Sequence, residues 1–148
     1  MIKISLLVII PAVFSCASGN KAVSNETFSE FQDRHWYLTE VKKMSAVISI
    51  DRSDISMTIY TVRFLTDRLF GAAADNSYFA RYTTGENHAL SIGRIASSRV
   101  APLYEMKDFT EYEYFQLLER VDRWEFRDGK LELHTYDENR AEVTLIYS

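Results

Sequence analysis

Residues 124–147 alternate apolar and polar side chains in three short runs, and a period of two is the signature of half-buried strands. Trp124 and Phe126 alternate with Glu125 and Arg127, Leu131 and Leu133 with Glu132 and His134, and Val143, Leu145 and Tyr147 complete the series. Asp128-Gly129 stands between the first two runs. That pair suits a type I′ hairpin, whose two central residues both need positive φ. Asp137-Glu138-Asn139 turns the chain once more. This end of the chain is therefore expected to form an antiparallel meander.

Similar signals run through the region before it. Trp36 to Val41 reads as a first strand, and Ala46, Ile48 and Ile50 mark a second before the turn-like Asp51-Arg52-Ser53-Asp54. Tyr60, Val62 and Phe64 share one face of a third strand. Asp67-Arg68 turns the chain into Leu69-Phe70-Gly71, Tyr78, Ala80 and Tyr82 alternate again, and Ala89 to Ile92 returns as a short strand. The period changes after Pro102. Tyr114, Leu118 and Val121 recur at i, i+4 and i+7, and Asp108 with Glu111 has capping-box spacing, which predicts a helix over residues 108–121. Roughly six to eight short strands around one core, with a single helix, predict a mainly β (α+β) fold. The expected architecture is a small antiparallel β-barrel or strongly coiled sheet with one inserted α-helix.

The N-terminus carries a different message. Lys3 precedes an uncharged apolar run from Ile4 to Phe14, too short to span a bilayer as a helix and suited to the core of an export signal. Val13-Phe14-Ser15-Cys16 resembles a relaxed lipobox, and Cys16 is the single cysteine of the chain. Residues 1–15 are thus expected to be a lipoprotein signal peptide, with Cys16 as the lipidation site. Residues 16–33 would form a flexible tether, being polar and Ser/Asn-rich up to Phe28, and residues 34–148 the folded domain. One thiol cannot build an internal disulfide, so a thiol reserved for acylation fits an exported chain. The expected location is the cell envelope, with the protein held at a membrane through its lipid and facing the periplasm or the cell exterior. Of 17 basic and 21 acidic side chains only Lys3 falls within residues 1–15, so the remainder is one unit more negative than the whole chain's −4. That balance argues against a nucleic-acid partner.

Chemistry-bearing spacings are scarce. His35, His88 and His134 lie in separate segments without a His-x-x-x-His or cysteine-rich pattern, so no metal site is expected. Ser97-Ser98-Arg99 lacks a Gly-x-Ser-x-Gly elbow and a marked base, and reads as a turn whose hydroxyls bond local backbone. Asp75-Asn76 reads as turn chemistry for the same kind of reason. The five glycines form no phosphate cradle,. No catalytic residue and no cofactor is expected. The aromatic residues, among them Tyr60, Phe64, Phe70, Tyr78, Phe79, Tyr82, Phe115, Trp124 and Phe126, either fill the barrel or line an apolar cleft.

The order Trp36-x-Leu38-x-x-Val41, Val62-x-Phe64, Asp67-Arg68-x-x-Gly71, Asp75-Asn76-x-x-Phe79-x-x-Tyr82 resembles the META domain, the HslJ-like family. The likeness continues through Leu90-Ser91-Ile92-Gly93, Glu111-x-x-Tyr114-x-x-x-Leu118-x-x-Val121-x-x-Trp124 and Gly129-x-Leu131-x-Leu133. It covers about residues 34–147. The resemblance implies a small β-rich domain of exported bacterial proteins linked with stress tolerance, envelope integrity or secretion, and it brings no catalytic mechanism. The family often writes Gly-Cys-Asn where this chain has Ala74-Asp75-Asn76. It often writes Thr-x-Met-Ala-Cys where this chain has Ser98-Arg99-Val100-Ala101-Pro102. Loss of both cysteines implies that the loop at Asp75 lies against the segment at Pro102. The expected function is that of a non-enzymatic, lipid-anchored envelope protein whose domain binds another envelope component. The alternative is a carrier holding a small apolar ligand or acyl chain inside the barrel.

Overall fold

The structure, a computed structural model, describes residues 27–50, 60–101 and 106–148. Its strands are β1 (Trp36–Lys43), β2 (Ala46–Ser49), β3 (Thr61–Phe64), β4 (Arg68–Ala73), β5 (Asn76–Thr84), β6 (Leu90–Ile92) and β7 (Ala96–Ser97), followed by β8 (Arg123–Arg127), β9 (Lys130–Tyr136) and β10 (Glu142–Tyr147). One helix, α1 (Glu111–Leu118), interrupts them between β7 and β8.

The main path of the sheet runs β6-β5-β4-β3-β1-β10-β9-β8, with β2 paired to β1 and β7 to β5. Its two ends meet. Ala89 forms an antiparallel bridge with Arg123, Leu90 N–H donates to Asp122 C=O at 3.0 Å, and Trp124 N–H donates to His88 C=O at 3.0 Å. The sheet is thus a nearly closed antiparallel β-barrel, which is how a strongly twisted sheet removes its free edges. The predicted fold class is the observed one. Among the described residues no helix is long and apolar enough to cross a membrane.

Local chemistry explains the shape. Asp128 (φ 53°) and Gly129 (φ 78°) make the tight β8–β9 hairpin expected from the sequence,. In β1 the register with β10 slips between Leu38 and Glu40. This bulge at Thr39 breaks the period of two and lets Trp36, Leu38 and Val41 all point into the core,. Gly71 is required by close approach, because a Cβ there would lie 2.0 Å from Thr61 O and 2.6 Å from the Tyr78 ring,. The chain bends at Asp67 as expected, and the residues it turns into form strand β4, paired to β5 from Arg68↔Arg81 to Ala73↔Asn76.

The helix is shorter than predicted and starts later. Asp108 does not cap it: Thr110 is the N-cap, its hydroxyl accepting from Glu113 N–H at 3.1 Å,. Residues before it are held in a turn by the Met106↔Phe109 bridge, with Phe109 fully buried. The helix ends at Leu118, its last i→i−4 bond running from Glu119 N–H to Phe115 C=O at 3.0 Å, and Val121 reaches the core from the tightened turn beyond it, where its N–H donates to Leu118 C=O at 3.2 Å. The fold also begins before residue 34. One turn of 3-10 helix, Phe28–Phe31, buries Phe28 and Phe31, so the residues from 28 to 33 expected in the tether belong to the domain.

Candidate functional site

Cys16, residues 1–15 read as an export signal, Pro102 and residues 51–54 read as a turn all lie outside the described residues. The barrel interior, the first place to look for a ligand, is occupied by the protein's own rings. Around the 3-10 turn, Phe28 packs edge-on to Phe64 at 5.1 Å and Trp124 at 5.4 Å, and Phe31 contacts Trp124 at 5.2 Å and Phe126 at 4.6 Å. Around α1, Tyr114 packs on Tyr60 at 4.8 Å and Tyr78 at 5.9 Å, and Tyr60 packs on Phe109 at 5.2 Å. Of the two readings of the aromatic residues, filling accounts for Tyr60, Phe64, Tyr78, Tyr82 and Trp124, all buried. Phe70 and Phe79 instead sit side by side on the outer face, 40% and 48% exposed with ring centroids 6.2 Å apart.

Three phenols meet inside the barrel. The Tyr114 hydroxyl lies 3.0 Å from that of Tyr78 and 3.1 Å from that of Tyr147, and Tyr78 donates to Thr61 C=O at 2.7 Å. With one proton per hydroxyl, the consistent relay is Tyr147 to Tyr114 to Tyr78 to the Thr61 carbonyl. Burial pushes Tyr78 and Tyr147 well above the usual phenol range and Tyr114 up to about 12,. All three remain neutral donors at ordinary pH. They form a satisfied polar core with no room for a substrate between them.

Asn76, read from sequence as turn chemistry, is a buried hub. Its amide nitrogen donates to Val100 C=O at 2.9 Å and to Glu111 Oε2 at 2.8 Å. Its amide oxygen accepts from Val100 N–H at 2.8 Å and from the Ser98 hydroxyl at 2.8 Å. Every hydrogen-bonding position of the amide is filled. The β4–β5 loop is therefore tied to residues 98–100 and to the start of α1, next to the position where the family resemblance puts a second cysteine. Ala74 takes φ 51° in that loop, a left-handed conformation that suits the family's glycine better than a residue with a Cβ. Ser98, in the segment read as a turn whose hydroxyls bond their surroundings, donates its hydroxyl to Asn76 and accepts from Ser77 N–H at 3.2 Å.

The three histidines stay apart, as their separation in sequence suggested. His35 is exposed ahead of β1, and His88 stacks on Trp124 at 4.4 Å. His134 lies on the outer face of β9, half-buried between Glu125 and Glu132.

Outside the barrel a groove runs between α1 and the β9–β10 turn. It consists of two adjoining depressions of about 390 and 520 Å³ that share Arg120, Asp137 and Glu138. Lys43, Tyr112 and Gln116 line one end, and Tyr136 and Arg140 the other. Its walls are braced. Lys43 pairs with Glu113 at 2.7 Å, Arg120 donates to Gln116 at 2.9 Å, and Asp137 caps the turn by accepting from Asn139 N–H at 2.8 Å and Ala141 N–H at 2.9 Å. Tyr112 is 74% exposed on the rim. Both signs of charge with an exposed phenol suit a polar chain such as a peptide better than an acyl tail. No linear motif marks the groove, because its residues come from β1, α1 and the β9–β10 turn.

A nearly closed antiparallel barrel carrying one helix and an aromatic interior defines the class of domain. The META domain family model matches residues 29–146, and the chain belongs to that family. Among solved structures it is similar to one described as the NMR structure of the protein from Burkholderia xenovorans, with TM-score 0.60 and 20% identity over 81% of this chain and 85% of that one. At that identity the likeness is one of fold. No curated protein matches the chain.

Proposed function

We propose that this chain is an exported lipoprotein, held in the cell envelope by acyl chains on Cys16, whose META domain binds another envelope component through its outer surface and catalyses no reaction. The observation that carries the reading is the filled interior. Trp36, Tyr60, Phe64, Tyr114 and Tyr147 occupy the volume that an apolar ligand would need, which favours surface binding over the carrier alternative. The polar groove between α1 and the β9–β10 turn is a concave surface among the described residues that suits it, and a partner in stress tolerance or secretion would fit the family's setting.

The test is a photo-crosslinking side chain placed at Tyr112 on the groove rim, in the full chain expressed in its own envelope. Glu86, in the turn at the far end of β5, serves as the control position. A discrete adduct from Tyr112 and none from Glu86 is the expected outcome. Equal labelling at both positions, or a defined lipid released in stoichiometric amount from the purified chain, would contradict surface binding.

A further inference from the structure

We propose that Glu125, Glu132 and His134 form a binding site for a divalent transition-metal ion of the zinc type on the outer face of the β8–β9 hairpin. One ligand atom from each of the three falls within 4.8 Å of the others. His134 Nε2 stands 3.7 Å from Glu125 Oε1 and 3.9 Å from Glu132 Oε2. Ligands sharing one ion at bond lengths of about 2.0 Å stand about 3.3 Å apart, so the three side chains must draw together for an ion to bind.

Two features of the hairpin make sense with an ion there. First, Nε2 of His134 is buried and has no hydrogen-bond partner, a condition that costs free energy unless something fills it. The other ring nitrogen has a neighbour, with the Thr144 hydroxyl 3.4 Å from Nδ1. A proton on Nδ1 directed at Thr144 leaves the Nε2 lone pair facing the carboxylates, the arrangement of a metal-bound imidazole with its outer partner. Second, the β8–β9 register sets Glu125 directly opposite Glu132, and like charges in cross-strand pairs are destabilising. Arg123 and Arg127 already offset that repulsion on the Glu125 side, and a cation between the two carboxylates would offset it on both.

Imidazole with two carboxylates selects zinc-type ions over calcium or magnesium, which prefer all-oxygen shells. The side chains of Glu125, Glu132 and His134 are 23%, 13% and 21% exposed, so solvent can supply a fourth ligand. The surroundings also limit affinity. Arg123 and Arg127 each bond Glu125 at 2.6 Å, and the ion must share that carboxylate with them.

The experiment is titration of the full chain, in detergent and without a histidine tag, with Zn²⁺ followed by calorimetry and with Co²⁺ followed by visible absorption. A saturable site for one ion per chain is expected. His134→Gln should abolish it, Glu132→Gln should weaken it strongly, and Thr144→Val should weaken it roughly tenfold, while His88→Gln leaves it intact. Melting of each variant without metal identifies any that fail to fold, and Thr144→Val then carries the test. Absence of saturable binding, binding that survives His134→Gln in a folded protein, or preference for Ca²⁺ over Zn²⁺ would overturn the assignment.

Discussion

Tyr114→Ala is expected to destabilise the domain by about 3–5 kcal/mol, the usual cost of deleting a buried aromatic ring. Tyr114 is fully buried, packs on Tyr60, Tyr78 and Phe109, and joins the helix to both halves of the barrel. Domains of this size hold about 5–15 kcal/mol in total, so the loss should appear as a melting temperature lower by about 10–20 °C. Tyr114→Phe keeps the ring and removes the middle of the hydroxyl relay, leaving Tyr147 without its acceptor. Its expected cost is about 1–2 kcal/mol. The phenols also set an alkaline limit. Burial raises Tyr114 to about 12, while an unfolded tyrosine ionises near 10. The contribution is therefore complete below pH ~10 and is lost as pH rises towards ~12, because the unfolded chain releases its proton first. A loss below about 1 kcal/mol for Tyr114→Ala, measured by denaturant unfolding, would mean that Tyr114 does not tie α1 to the barrel core as described.

Asn76→Asp is expected to cost about 2–4 kcal/mol at neutral pH although it changes the side chain's shape very little. The amide nitrogen donates to Val100 C=O and to the Glu111 carboxylate. A carboxylate oxygen in its place faces two acceptors, one of them charged, in a position only 2% exposed. Leaving a buried polar group opposed in this way costs more than the net value of the bonds removed. Acidification supplies the check on mechanism, because protonating the introduced carboxylate restores one donor and should recover part of the loss. Denaturant midpoints at pH 7 and pH 4, compared with wild type, measure both. Equal stability of variant and wild type at pH 7 would refute the role of Asn76 as the tie between β5, residues 98–100 and α1.

The sequence conveyed what depends on short-range periodicity. The meander from Trp124 to Tyr147 was legible because strand alternation and the Asp128-Gly129 turn agree there. The start of α1 was ambiguous locally. Asp108 with Glu111 and Thr110 with Glu113 offer the same cap spacing, and the burial of Phe109 decides for the second. The Thr39 bulge and strand β4 were hidden because both rest on partners distant in sequence, β10 for one and β5 for the other. Asn76 carries the composition of a turn, and what makes it a hub is the return of residues 98–100 and 111, which no local window contains. The groove and the Glu125–Glu132–His134 cluster are likewise assembled across elements. Two of the three ligands come from one strand and the third across the hairpin, so no metal-binding spacing appears and the sequence pointed to none.

The reading as an anchored envelope protein rests on Cys16. Mass spectrometry of the mature N-terminal peptide, paired with membrane fractionation of wild type and Cys16→Ser, tests it most directly. The account expects a mature chain that begins at Cys16 and carries acyl chains there, and a Cys16→Ser protein that is unprocessed or leaves the detergent phase. A wild-type chain that retains residues 1–15 with an unmodified thiol, or partitions identically to Cys16→Ser, would contradict it.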